Sequence, residues 1–338
     1  MLGYIEFPTW LRTEIIPGLP LRWYGMMYLV AFVISYLLFV YQVRERKLEI
    51  DSDTILNFFF WAIIGLLIGA RIFATLLFDP TGRYVRRPWL IFWPFNEAGQ
   101  FVGLQGMNYY GGLVGAIVAA LIYGRVRKID ILDWGDMLVA GIPLGYMFGR
   151  IGNFINGELF GRVTTAAWGV IFPHAQRFPA SEGWVQETAE AAGLAIPPDA
   201  TLVNLPRHPT QLYEAFAEGI LMWLIMWFIF RKNRPYRGYL IGMYVILYGA
   251  FRFIIDYFRM PLRGDFSLTF SPPPNPPYLL ESPFNFIASQ FYSLLMVAGG
   301  VLCLVVFSRM ATARRQREEE SQEKKQSMRN LRKKIRRK

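Results

Sequence analysis

The chain has 338 residues, 54% of them hydrophobic and 17% aromatic, with a mean hydropathy of +0.26. Together with several long uncharged runs, that composition excludes an ordinary soluble enzyme and places the chain among polytopic membrane proteins. The net charge of +11 is concentrated: Arg309 to Lys338 holds thirteen Lys/Arg against four Glu, with no aromatic among them. That pattern reads as a solvated tail with some attraction to anionic lipid, and no nucleic-acid partner is expected.

In chain order, residues 1–21 carry Glu6, Arg12, Glu14 and three prolines and read as an interfacial segment. They lack the basic start and cleavage site of a signal peptide. Trp23 to Val43 is uncharged, and since about 20 apolar residues cross a bilayer it forms the first span. Thr54 to Phe78 is the second, interrupted by Arg71, and Asp79 to Gln105 mixes Pro, Trp and basic residues as a headgroup interface does. Met107 to Gly124 is the third span and Leu132 to about Ile155 the fourth. Asn156 to Arg207 is the longest polar stretch and reads as a small inserted head, with short strands around Trp168 to Phe172. His208-Pro209 opens the fifth span, which runs to Phe230. Gly238 to Tyr257 is the sixth, Met260 to Ser282 a proline-rich loop, and Pro283 to Ser308 the seventh.

The expected fold is therefore an all-α polytopic membrane protein of about seven transmembrane helices. Residues 1–308 form the membrane domain, the head occupies about 156–208, and 309–338 is a disordered basic tail. The loops after spans one, three, five and seven carry three, three, four and thirteen basic residues. By the positive-inside rule these face the cytoplasm, which leaves the N-terminus and the head extracytoplasmic. The one cysteine, Cys303, lies in an apolar run and reads as inert packing. No Cys/His cluster, phosphate loop or nucleotide fingerprint is present, so no metal or nucleotide cofactor is expected.

The densest polar insertion in an apolar run is Gly149-Arg150-Ile151-Gly152-Asn153-Phe154-Ile155-Asn156-Gly157-Glu158-Leu159-Phe160-Gly161. If this stretch stays helical, Arg150, Asn153, Gly157 and Gly161 share one stripe; Asn156-Gly157 is equally a turn dipeptide that ends the helix. An arginine at bilayer depth costs about 2.5–3.5 kcal/mol on insertion scales and marks a polar cavity. Arg252 and Asp256 at i, i+4 carry two readings, a mutual ion pair or a working arginine with its partner.

Taken with Arg22-Trp23-Tyr24-Gly25-Met26-Met27-Tyr28, Gly69-Ala70-Arg71, Tyr110-Gly111-Gly112-Leu113, Arg207-His208-Pro209-Thr210-Gln211-Leu212-Tyr213-Glu214 and Tyr248-Gly249-Ala250-Phe251-Arg252, this stretch resembles the signature motifs of the prolipoprotein diacylglyceryl transferase family. The resemblance runs from about residue 20 to 308. Two positions depart from it: Tyr110 stands where most members have His, and Asp256 where Glu is expected. The first removes an imidazole base, and the second keeps the charge on a shorter arm.

The resemblance implies an enzyme of the bacterial cytoplasmic (inner) membrane that needs no cofactor. It moves the diacylglyceryl group of phosphatidylglycerol to the lipobox cysteine thiol of prolipoproteins, forming a thioether and releasing glycerol phosphate. Its partners are then phosphatidylglycerol, the lipobox signal peptide and membrane lipid. Arg150 and Arg252 would fork onto the phosphate as negative charge builds there. Arg71 carries the same argument with structural pairing as its alternative, while Arg162 and Arg259 read as snorkelling to headgroups.

Asn153, Tyr24 and Tyr110 would bind substrate, with Asn156 a turn residue and Gly161 admitting close approach by lipid or a neighbouring helix. Glu158 has three readings: partner of Arg150, base for the thiol, or structural anchor. Since a phenol with pKa near 10 is a poor base, Glu158 or Asp256 is the candidate for proton transfer. His208 reads as a cap, with Gln211 and Glu214 tying the head to the fifth span. Two rivals stand beside the enzyme: a lipid transporter, and a non-catalytic lipid- or signal-peptide-binding relative.

Overall fold

The computed structural model describes residues 3–16, 22–77, 79, 81–96, 98–101, 103, 106–260, 267–269 and 285–335. The helices in chain order are α1 (Trp23–Glu45), α2 (Ser52–Leu76), α3 (Arg83–Arg86), α4 (Tyr109–Arg127), α5 (Ile131–Ile155), α6 (Gly183–Ala191), α7 (Thr210–Phe230), α8 (Tyr239–Ile255) and α9 (Ala288–Ile335). Among the described residues six of these, α1, α2, α4, α5, α7 and α9, are long and apolar enough to cross a membrane. The sixth expected span is α8, apolar but only 17 residues long. Most of the proline-rich Met260 to Ser282 loop lies outside the described residues.

The segment expected as a disordered basic tail is helical as far as Ile335: α9 runs unbroken for 48 residues, from the apolar run into the charged one. Between Ala311 and Ile335 there is no Gly or Pro, and the segment is rich in Arg, Lys, Glu and Gln, which favour helix. Arg314 Nε meets Glu318 Oε1 at 2.9 Å, one turn on. A helix that continues on its own propensity needs no packing partner. Deleting residues after Met310 is therefore expected to leave turnover within about twofold, since exposed pairs add little to stability. A vesicle assay of the truncated protein checks this, and loss of activity in a folded truncation would show the tail has a catalytic task.

The chain forms two units, Leu38–Trp134 and Met1–Leu37 with Gly135–Lys338. In the first, α2 and α4 pack through glycines four apart on each helix. A Cβ on Gly65 would sit 2.5 Å from both Gly115 O and Ala119 Cβ, and one on Gly69 would collide with Gly111 O. Small residues in this spacing let two helix backbones touch where lipid offers no hydrophobic drive to associate. Asn108 caps α4 by accepting from Gly111 N at 2.9 Å. Trp134 packs on Phe39 and Phe58 at 5.2 and 5.0 Å between ring centroids.

In the second unit the head has a core of its own, Val163, Phe178, Val185, Ala189, Val203 and Leu205. Strand β3 (Phe178–Pro179) pairs antiparallel with β4 (Leu202–Val203), closing that core. The strand expected near Trp168 is β2 (Val170–Ile171), which pairs in parallel with β1 (Ile5–Glu6). The N-terminal segment is thus partly a strand of the head, where the sequence suggested only an interfacial stretch. Phe7 anchors it, 5.6 Å from both Phe154 and Phe172.

Elsewhere in this unit α8 packs on α9 through Gly242 and Gly300, where a Cβ would sit 2.5 Å from Leu304 and 2.6 Å from Ile246. Asp136 of α5, fully buried, caps α8 from another helix. Its carboxylate accepts from Gly238 N at 2.8 Å and Ile241 N at 3.1 Å, with Arg234 Nη1 at 3.2 Å. An anion at a helix N-terminus satisfies donors that have no partner inside the helix.

Candidate active site

The polar signature begins where α5 ends. Glu158 N donates to Asn153 O at 3.1 Å and Gly157 N to Phe154 O at 2.9 Å, with Gly157 at φ +64°. This pairing of backbone bonds around a left-handed glycine is the Schellman stop. Arg150 and Asn153 stay on the last turns of the helix. Gly157 and Gly161 leave it, so the four-residue stripe does not form.

Facing that end are two carboxylates of α7, Glu214 and Glu218, each 1% exposed. Helix α7 is α-helical over Thr210–Glu214 and then widens into π turns over Ala215–Leu221, a form frequent at functional sites. Glu214 is the hub. Its Oε1 accepts from Arg252 Nη1 at 3.0 Å and Arg259 Nη1 at 2.5 Å, while Oε2 lies 2.7 Å from Arg150 Nε. Arg252 Nε adds Asp256 Oδ1 at 3.1 Å. Glu218 Oε2 accepts from the Tyr146 hydroxyl at 2.5 Å, and that same oxygen of Tyr146 accepts from Arg150 Nε at 2.7 Å.

Three guanidiniums thus meet three buried carboxylates, a cluster in which each charge depends on the others for the solvation that burial removes. Arg150 makes one further contact among the described residues, a long 3.4 Å bond from Nη1 to Asn153 Oδ1. Among the described residues its Nη2 has no partner, and on Arg252 Nη1 donates to Glu214 while Nε faces Asp256 Oδ1 without a directed hydrogen bond. Unspent donors on fixed guanidiniums are what an oxyanion would bind.

The remaining expected residues fall into place around this cluster or apart from it. Glu158 is not the partner of Arg150, because Glu214 takes that position from the neighbouring helix. Instead Glu158 Oε1 accepts from Asn153 at 3.0 Å and Asn156 at 3.1 Å, and its backbone oxygen accepts from Gln211 at 2.6 Å. Gly161 is approached by protein: an added Cβ would meet Phe258 O, Thr210 Cγ2 at 2.7 Å and His208 Cβ at 2.9 Å. Arg259 does not snorkel but joins Glu214, because the turn after α8 folds it back toward the cluster.

Tyr24 lies against this segment, leaving only 3.2 Å to a Cβ on Gly152, and its hydroxyl is 3.0 Å from that of Tyr28. His208 is more than a cap, with Nδ1 3.0 Å from the Tyr213 hydroxyl. Burial, and then the Arg162 charge, push the His208 pKa down to about 4, so it is neutral near pH 7.

Arg71 and Tyr110 belong to the Leu38–Trp134 unit. Arg71 is 4% exposed and donates to the backbone oxygens of Ile91 and, at 3.2 Å, Gly106, so its observed contacts hold the loop between α2 and α4. Tyr110 is 64% exposed in the first turn of α4, beside Tyr109.

Sequence reasoning missed Tyr146 and Glu218 and gave Glu214 too small a part. Two carboxylates at i, i+4 inside an apolar span were the available signal. Arg207 was quoted in a motif but given no role: fully buried, its guanidinium carbon lies 5.0 Å from the Phe160 ring and 5.4 Å from that of Phe178, and Nη2 donates to Gln176 O at 3.0 Å.

Comparison with known proteins agrees across nearly the whole chain. A family model described as prolipoprotein diacylglyceryl transferase matches residues 12–322. A phosphatidylglycerol–prolipoprotein diacylglyceryl transferase of Treponema pallidum is 46% identical, over 93% of this chain and 99% of the relative. Proteins of the same name from Treponema denticola and Chlorobaculum tepidum are 45% and 39% identical, over 90% and 89% of this chain and 95% and 94% of each relative.

Proposed function

The chain belongs to the prolipoprotein diacylglyceryl transferase family, and from that premise we propose how its residues divide the reaction. It is a multi-pass membrane enzyme that transfers the diacylglyceryl group of phosphatidylglycerol to prolipoproteins, a step of lipoprotein maturation. In our reading the acceptor is the thiol of a lipobox cysteine, and the reaction takes place at the extracytoplasmic side of the bacterial inner membrane. The single observation that carries the assignment of roles is the convergence of Arg150 and Arg252 on Glu214, with Nη2 of each left without a partner among the described residues.

Arg150 and Arg252 hold the phosphate of phosphatidylglycerol. The thiolate sulfur attacks the glycerol carbon of the diacylglyceryl group, the carbon–oxygen bond to phosphate breaks, and glycerol phosphate leaves with the electron pair. Negative charge on that phosphate grows as the bond breaks, and fixed donors in a low-dielectric site stabilise it more than they stabilise the bound lipid. Asn153, beside Arg150, and Tyr24, against Gly152, contact the lipid headgroup. Holding thiol and lipid together removes about 7–11 kcal/mol of barrier in favourable cases.

A free thiol has a pKa of about 8.5, so turnover needs a proton acceptor. Glu158 suits that task better than Asp256, because Asp256 is fully buried and its carboxylate is engaged by Arg252. Glu158→Gln is expected to lower kcat with little change in KM for lipid, whereas Asp256→Asn should change both. Near-normal turnover in a folded Glu158→Gln protein would sink the assignment of the base.

The experiment that tests the reading uses the purified protein in phosphatidylglycerol vesicles with a lipobox peptide. Mass spectrometry asks whether the peptide gains a diacylglyceryl group, with a Cys→Ser peptide as control. A thiol-dependent gain that disappears in Arg150→Ala is expected; a gain on the serine peptide would refute thioether formation.

A further inference from the structure

We propose that Tyr146, held by Glu218, is the positioning residue that sets the aim of the Arg150 guanidinium. This rests on reading Arg150 as a phosphate-binding arginine. Neither Tyr146 nor Glu218 lies in the sequence motifs that carried the family resemblance.

Arginine Nε has a single hydrogen, and here two oxygens compete for it. The Tyr146 hydroxyl and Glu214 Oε2 are both 2.7 Å from Arg150 Nε. Only the phenol oxygen accepts along the N–H direction; Glu214 Oε2 is buried and receives no hydrogen bond. Glu214 therefore supplies charge and Tyr146 supplies direction. The Tyr146 ring adds a second constraint, with the guanidinium carbon 4.7 Å from its centroid.

A phenol that accepts from arginine must place its own proton elsewhere, and Glu218 Oε2 takes it at 2.5 Å. Among the described residues Glu218 has no other hydrogen-bond partner: its Oε1 is buried without a donor, 3.9 Å from Arg252 Nη1. Its fixed position comes from packing. A Cβ on the adjacent Gly219 would sit 2.7 Å from Met147 Cβ, so α7 and α5 touch where Glu218 and Tyr146 meet. Tyr248 of α8 closes the third side, its ring 6.1 Å from that of Tyr146. Glu218, Tyr146 and Arg150 thus form one chain of directed hydrogen bonds on a rigid junction.

Removing the hydroxyl frees the Nε hydrogen to turn toward Glu214 Oε2. The guanidinium rotates, and the lipid phosphate meets a different edge of it. Charge is unchanged, so lipid should still bind, while alignment in the transition state is lost.

The test uses the full-length protein in phosphatidylglycerol vesicles, comparing Tyr146→Phe, Glu218→Leu, Glu218→Gln and the double variant Tyr146→Phe/Glu218→Leu. Tyr146→Phe is expected to lower kcat about 10- to 100-fold with KM for lipid changed less than about twofold. Glu218→Leu should match it, and the double variant should be no worse than either single change. Glu218→Gln, whose amide oxygen still accepts the phenol proton, should recover most of the loss.

A wild-type kcat in Tyr146→Phe, a loss confined to KM, or losses that add in the double variant would overturn the proposal. If Glu218→Leu does not fold, Glu218→Ala replaces it: a double variant with Tyr146→Phe that is no worse than either single change supports the chain, and an added loss refutes it. Arg150→Ala in the same assay keeps the two levels apart. An active Arg150→Ala refutes the phosphate role itself, whereas an inactive one beside a wild-type-like Tyr146→Phe refutes only the positioning.

Discussion

Arg150→Ala is expected to lower turnover by about 10²–10³-fold or more, the loss found when one preorganised donor to a developing oxyanion is removed. The magnitude follows from where Arg150 sits. Its guanidinium is fixed on one side by Tyr146 and Glu214 and by Asn153 at the long distance of 3.4 Å, so the remaining donor is aimed before substrate arrives. A lysine at this position keeps the charge, yet it has no fork and no Nε hydrogen for Tyr146. Arg150→Lys should therefore recover little of the loss. The check is single-turnover transfer to a lipobox peptide, alongside thermal unfolding in detergent. A folded Arg150→Ala protein with near-normal transfer would remove phosphate binding from this residue.

Glu214→Ala is the substitution expected to cost most in stability, about 3–5 kcal/mol by analogy with other broken buried pairs. The reason is the count of charges. One carboxylate, 1% exposed, meets Arg150, Arg252 and Arg259 at 2.7, 3.0 and 2.5 Å, and without it three guanidiniums share two carboxylates, Glu218 and Asp256, in a buried site. An apparent melting point lowered on the order of 10 °C follows from that free energy. Glu214→Gln keeps the shape and one acceptor oxygen but loses the charge, and should fall between Glu214→Ala and the wild type. Should Glu214→Ala melt with the wild type, the cluster is not held by its central carboxylate, and the ion-pair distances overstate its cohesion.

The two expectations differ in kind, and the difference is measurable. Arg150 is at the edge of the cluster, so its removal strips a donor while leaving Glu214 two partners. Glu214 is at the centre, so its removal takes a partner from all three arginines at once. Turnover should fail in both, but only the second should carry a large loss of thermal stability.

Much was legible in the residues alone. The spans followed from uncharged runs near 20 residues, because a bilayer admits only segments that satisfy their own backbone. Arg150, Arg252 and Asn153 stood out because a polar group at that depth is costly enough to need a purpose. The end of α5 was written in Asn156-Gly157, a local signal that needs no tertiary context. The helix through the charged segment as far as Ile335 is equally local, since its Arg, Lys, Glu and Gln favour helix.

Partnership was not legible. Arg252 with Asp256 could be read from spacing on one helix, but Arg150 with Glu214 joins α5 to α7 across 64 residues, and Arg252 with Glu214 joins α8 to α7. Which carboxylate faces which arginine depends on how three helices pack and on π turns that rotate the face of α7, neither of which leaves a trace in local sequence. Tyr146 illustrates the limit. As a residue it is one of eighteen tyrosines. It gains a role only because packing at Gly219 and Met147 brings its hydroxyl between a buried acid and an arginine. Residue chemistry alone thus determined the helices, their ends and the costly polar groups, since each depends on near neighbours or on burial in lipid. Tertiary structure alone decided how those groups pair, because a hydrogen bond or ion pair exists only where packing sets two side chains within about 3 Å.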